Sequence, residues 1–239
     1  GGTYEYGYQL LSPSLGFTAG WLFLLAKSAS AATAALGFSG YALNLFDNES
    51  ISIVPLALVA VVLITAVVLT GMRRSNVLNA IVVAITLLAL AAFVVGGSLD
   101  SSLDRFQPFF ADDRAMAGLL EAAALMFVAY TGYGRIATLG EEVRSPRSTI
   151  PRAVIITLVV SMALYGLVAL IGVGSAGAAG LAGATDSTAA PLEVIARGFQ
   201  YSWVAPVVAV GAVKAMLGVL LKLLLGLSRV LLAMGRRAD

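Results

Sequence analysis

Cysteine and histidine are both missing from this chain of 239 residues. Without cysteine there is no disulfide, no thiolate nucleophile and no cysteine-type zinc site. Without histidine there is no imidazole base and no ordinary ligand set for a transition metal. Charge is scarce as well. Charged residues make up 12% of the chain, about half of the ~25% usual in soluble domains. The balance of 15 basic and 13 acidic residues leaves a net charge of +2, which does not suggest a nucleic-acid partner. No acid/base pair or nucleophile constellation emerges, so neither enzymatic activity nor a bound metal or other cofactor is expected.

What the chain holds is apolar. Hydrophobic residues amount to 59% and mean hydropathy is +0.94. No globular surface could be built from so few polar residues, so the composition reads as an integral membrane protein. Alternating strand patterns are absent, which excludes a β-barrel and leaves an all-α, polytopic architecture. Six segments meet the ~20 mostly apolar residues that a transmembrane helix needs. They are 15–37, 54–71, 76–97, 115–139, 153–173 and 204–234. The second is short for a span, and the last is long enough to tilt or project. Residues 1–239 are thus read as a single integral membrane domain. Its first stretch, 1–12, carries Tyr4, Tyr6 and Tyr8 around Glu5 and reads as an interfacial helix in the headgroup layer. Pro13 then breaks the chain before the first span.

Basic residues between the spans set the orientation. Arg73, Arg74, Arg144, Arg147, Arg152, Arg236 and Arg237 fall on the side of both termini, while only Arg105, Arg114 and Arg197 fall opposite. That asymmetry places both termini in the cytoplasm, with the inner (plasma) membrane as the expected location. On the outer side, 175–200 is long for a plain loop. Pro191 can open a short helix there, with Leu192, Val194 and Ile195 as its apolar residues. Such a segment serves as a lid or as a connector.

Ionisable groups within spans cost roughly 2.5–3.5 kcal/mol each on insertion scales and call for an explanation. Lys27, Glu121, Lys214 and Lys222 are of this kind. Two readings stand open: a water-lined path that binds ions or anionic groups, or structural pairing and snorkelling. Lys27 and Lys222 are the coupling candidates; Glu121 with Lys214 is the expected pair. Ser228 and Thr33 are expected to bond their own helix carbonyls.

The stretch Phe127-Val128-Ala129-Tyr130-Thr131-Gly132-Tyr133-Gly134-Arg135 is a poor helix interior, with two glycines one residue apart beside Thr and bulky Tyr. An unwound backbone survives in a membrane only where protein buries it or a cavity solvates it. A break here presents carbonyls to an ammonium and amides to a carboxylate, the outline of an amino-acid zwitterion. Packing glycines are the competing reading. After it comes a charged cytoplasmic hinge from Gly140 to Ala153, with Glu141, Glu142, Pro146 and Pro151. Pro151 is expected to start the fifth span, where a missing N–H costs nothing.

The run FVAYTGYGRIATLGEEVRSPRSTIPRA, Phe127 to Ala153, resembles the sixth helix and following loop of amino acid permeases of the amino acid–polyamine–organocation (APC) superfamily. Gly1 to Tyr6 resembles the interfacial helix before that family's third span, and Gly226 to Met234 the inner end of its eighth. The resemblance implies a partial LeuT-type inverted-repeat fold made of family helices three to eight, truncated at both ends, with half of the midplane site missing. It implies secondary active transport of amino acids by alternating access, in a lipid bilayer and coupled to a proton or sodium, by symport or antiport. Polyamine or inorganic-ion transport, or a non-transporting sensor or membrane subunit, are the alternatives. By the same resemblance Phe127 closes over substrate. Carbonyls near Val128, Ala129, Tyr130 and Thr131 meet its ammonium, Gly132 permits the unwinding, and Tyr133 walls the side-chain pocket. Val82 stands where some permeases place a polar or basic coupling residue, a role that valine cannot fill.

Overall fold

The computed structural model describes residues 3–46, 51–69, 76–107, 115–130, 132 and 145–236. Among these the elements are helical throughout: α1 (Thr3–Leu10), α2 (Pro13–Leu45), α3 (Ile53–Leu69), α4 (Asn76–Gly97), a 3-10 turn (Leu103–Phe106), α5 (Ala115–Tyr130), α6 (Pro146–Thr188), α7 (Pro191–Ala196) and α8 (Val204–Arg236). Four of them are long and apolar enough to cross a membrane: α2, residues 79–97 of α4, α6 and α8. The chain is an all-α, multi-pass membrane protein. Of the six expected spans, the other two are the shorter apolar helices α3 and α5, of 17 and 16 residues. Their expected extensions, 70–71 and 131–139, lie outside the described residues apart from Gly132.

Local chemistry explains the helix starts. Pro13 occupies the first turn of α2, and the Ser12 hydroxyl accepts the Leu15 N–H at 3.2 Å. The helix runs on past the expected end at residue 37, because the following stretch stays largely apolar and holds no proline. Thr33 and Ser228 bond their own helices, donating to the carbonyls of Ala29 and Leu225 at 3.0 Å each.

α6 departs from expectation at both ends. It begins at Pro146, with Pro151 inside the helix, not at its start. Pro146 already fills the tolerated first position, and the Ser145 carbonyl accepts from Ser148 and Thr149, each at 3.1 Å. Pro151 therefore forfeits a single bond, to the Arg147 carbonyl, near the helix end. Further on, Gly177 takes φ 73° and ψ 165° and kinks the helix. That conformation is open essentially to glycine alone. Helix resumes beyond it to Thr188, so 178–188 is helical where a loop was expected. Ala189 then closes α6 in the left-handed region, its N–H donating to the Thr185 carbonyl at 3.2 Å. α7 forms where Pro191 predicts it, with that proline in its first turn.

α8 is the axis of the packing. Leu220 and Leu223 meet Ala31, Ala34 and Ala35 of α2 and Ala57 and Ala60 of α3. Small side chains there let the helices approach closely, the usual source of association between membrane helices. Toward the α8 N-terminus, Val204, Ala205 and Val208 pack with Phe93 of α4 and with Ile195, Ala196 and Phe199. At its other end, Val230 and Met234 hold Leu24 and Tyr4. Tyr4 is only 1% exposed, so its ring turns into the bundle instead of out to the headgroups. Between α4 and α8 contact is so close that a Cβ at Gly211 would collide with the Ala89 side chain. The outer surface is apolar: Trp21, Leu22 and Leu25 of α2 and Ile155, Ile156, Val159 and Met162 of α6 are exposed. Apolar area on that scale belongs against lipid or protein, not water.

Candidate functional site

α5 is helical as far as Tyr130, and Gly132, two residues on, is 3-10 helical. A carbonyl has two lone pairs, so one already engaged still accepts a second donor. Carbonyls on the last described turn of α5 can thus receive a cationic group. Phe127, Val128 and Ala129 are exposed, Phe127 by 71%. Tyr130 is half-buried, its ring 5.4 Å from that of Tyr165 on α6. None of the α5 residues is buried. Gly132 is exposed, and a Cβ added to it would meet nothing within 4 Å. Thr131, Tyr133, Glu141 and Glu142 lie outside the described residues.

The intramembrane cations sit on a different part of the molecule. Lys27 is half-buried on α2, its ammonium 5.8 Å from the centre of the Phe23 ring. Lys222 is half-buried on α8, the helix against which α2 packs most closely. The structure does not gather these two lysines with the α5 terminus. Glu121 and Lys214 are both exposed and, among the described residues, form no ion pair with each other. The pairing expected of them is therefore not made, because α5 stands away from α8. Val82 faces α8 with ordinary van der Waals packing near Gly218.

Polar chemistry that the sequence did not single out collects at the end of the bundle where α2, α4 and α6 finish. Glu193 of α7 is buried, and Arg197 donates to it at 3.1 Å. Tyr41 of α2 is buried against the backbone of Leu192. The spacing of Glu193 and Arg197, four residues apart behind Pro191, was the available signal. Nearby, the loop after α4 is tied to α6: the Ser102 N–H donates to the Gly174 carbonyl at 2.9 Å, and the Ser101 and Ser175 hydroxyls are 3.3 Å apart. Asp100 Oδ2 accepts the Gln200 N–H at 3.0 Å. A cavity of about 330 Å³ opens between these segments, bordered by Asp100, Arg105 and Ser175. A second, of about 690 Å³ and mainly apolar, adjoins it along Phe106, Leu170, Val173 and Gly177.

Comparison with known proteins bears on all of this. The sequence pattern of the family described as "Amino acid permease" matches residues 1–239. An uncharacterized transporter of Mycobacterium tuberculosis is 41% identical over 236 residues, covering 99% of this chain and 51% of its own. The branched-chain amino acid permease of Bacillus subtilis is 28% identical over 255 residues, 99% of this chain and 53% of its own. The methylthioribose transporter of the same organism is 28% identical over 253 residues, with 99% and 53% covered. The chain spans about half the length of these relatives.

Proposed function

The chain belongs to the amino acid permease family, a family of transporters and not of enzymes, and from that premise we propose that it forms the central part of a secondary transporter for amino acids. In this reading residues 1–239 are one integral membrane domain, matching family helices three to eight of a LeuT-type fold, in the plasma membrane with both ends cytoplasmic. The arginine distribution supports that orientation, and the half-length coverage of the relatives supports the fragment.

A single observation supports the site assignment: Phe127, Val128 and Ala129 stand exposed on the last described turn of α5, just ahead of the poor helix formers Thr131, Gly132 and Tyr133 in the sequence. A break in the helix there would leave carbonyls for whatever binds. Those of Val128, Ala129, Tyr130 and Thr131 would hold the substrate ammonium. Phe127 would close over it and Tyr133 would wall its side chain. The exposure of Phe127 fits a ring that packs on a ligand and not on the fold. Alternating access would move α5 against the α2–α8 pair, with Glu141, Glu142, Pro146 and Pro151 as the cytoplasmic hinge. Lys27 or Lys222 would take part in coupling to a proton or sodium. A sugar-like solute is the second reading, favoured by the similarity to the methylthioribose transporter.

Uptake into vesicles holding the complete gene product tests the proposal. Accumulation of an amino acid above the external concentration is expected, with affinity lowered about tenfold in F127A. Methylthioribose accumulating while all twenty amino acids stay out would select the second reading. Vesicles that accumulate nothing, though the protein binds amino acids, would sink transport altogether.

A further inference from the structure

The two cavities beside the loop after α4 share one residue, Arg105. It stands on the 3-10 turn, whose start is fixed by the Ser102 hydroxyl accepting the Asp104 N–H at 3.3 Å. Asp100 borders the smaller cavity from the end of α4. These opposite charges face one space, yet among the described residues no ion pair joins them. Of the two carboxylate oxygens, Oδ2 takes the Gln200 N–H, which orients the group. A carboxylate has about four lone-pair sites, so capacity for an ammonium remains. Arg105 is exposed and offers the planar fork that matches a carboxylate. The Ser102–Gly174 and Ser101–Ser175 contacts tie the loop to α6 and hold the cavity walls.

We infer that this cavity is a docking site for a free amino acid, distinct from the last turn of α5. The inference rests on the amino-acid reading above. The ligand carboxylate meets Arg105, its ammonium meets Asp100, and the Ser175 hydroxyl serves either group. A volume of about 330 Å³ falls at the small end of the roughly 300–1,000 Å³ typical of small-molecule sites. The adjoining cavity, walled by Phe106, Leu170 and Val173, takes the side chain. The preferred class is therefore apolar amino acids; a lysine or arginine ligand would set a second cation beside Arg105. A phosphatidylethanolamine headgroup carries the same pair of charges. The small volume of the first cavity, with its pair of opposite charges, favours the free amino acid over a headgroup with two chains.

The test is saturation binding to the complete gene product in nanodiscs of phosphatidylcholine. Each of the twenty amino acids is screened with a radiolabel, and the best-bound apolar one is titrated. Two sites per protein are expected. R105Q and D100N each remove one site and leave the affinity of the other unchanged. Both variants are mild: Arg105 has no partner to lose among the described residues, and Asn keeps an oxygen for the Gln200 N–H. F127A weakens the remaining site about tenfold. A stoichiometry of one that R105Q and D100N do not alter overturns this inference and leaves the transport reading standing. Loss of the second site when phosphatidylethanolamine enters the discs assigns the cavity to lipid and overturns it too. Binding confined to charged amino acids refutes the apolar preference and the site with it. If no amino acid binds, the inference and the substrate reading fail together.

Discussion

One guanidinium nitrogen of Arg197 stands 3.1 Å from Glu193 Oε1 and 2.6 Å from the Asn44 carbonyl oxygen, joining α7 to the end of α2. Glu193 is 2% exposed and Arg197 45%. Glu193 Oε2 and the Asn44 side-chain nitrogen are buried without a hydrogen-bond partner among the described residues. Removing the cation from a buried pair strands a charge, which costs roughly 3–5 kcal/mol, and the half-exposed guanidinium puts this case at the lower end. Neutralising the carboxylate while keeping an acceptor costs about 1 kcal/mol. R197A is therefore expected to lower the melting temperature more than E193Q in detergent. A reversed order in thermal melts would show that Arg197 does not hold the buried charge.

A second prediction concerns the α4–α8 contact. G211A drives a methyl group into Ala89, and overpacking of this kind costs about 1–3 kcal/mol. The companion change A89G empties the space that the new methyl needs. The double variant A89G/G211A is expected to melt closer to the parent protein than G211A does. Additive losses in a double-mutant cycle would mean that the two positions are not in contact.

Gly177 supplies a third. At φ 73° and ψ 165° any side chain is strained by about 1–3 kcal/mol. No atom lies within 4 Å of where its Cβ would be, so the penalty of G177A is conformational and not steric crowding. G177V is expected to be worse than G177A, because branching narrows the backbone further. Equal melting temperatures for all three proteins would place the kink elsewhere.

The opposite sign is expected at Ala189, which ends α6 at φ 53°. Left-handed backbone costs a non-glycine residue roughly 1–2 kcal/mol, and glycine is the favoured residue at this capping position. A189G should stabilise by about 0.5–1 kcal/mol, since the unfolded chain gains freedom as well. A melting temperature below that of the parent protein would contradict the strain.

Much of the fold is legible in the sequence because membrane helices report themselves through long apolar runs. The boundary between α1 and α2 follows from Pro13, and α7 from Pro191; these signals are local. The course of α6 is not. Pro151 reads as a start because the sequence does not say that Pro146 has already taken the first position. Gly177 sits in a run of small residues, 174–180, where nothing local distinguishes a kinking glycine from a packing one. The cavity groups escape for a further reason. Asp100, Arg105 and Ser175 become neighbours only when the loop after α4 is bonded to α6. Tyr130 marks the middle ground: α5 reaches it as the apolar pattern predicts, while its ring partner Tyr165 is beyond any local pattern.

α5 contributes no buried residue to the described packing. Its one described ring contact, Tyr130 with Tyr165 at 5.4 Å, joins it to α6 alone. Along α2 or α8 an altered side chain must be tolerated by several neighbouring helices. The load of helix association among the described residues thus falls on the small-residue seams of α2 and α8, where even one added methyl group is felt.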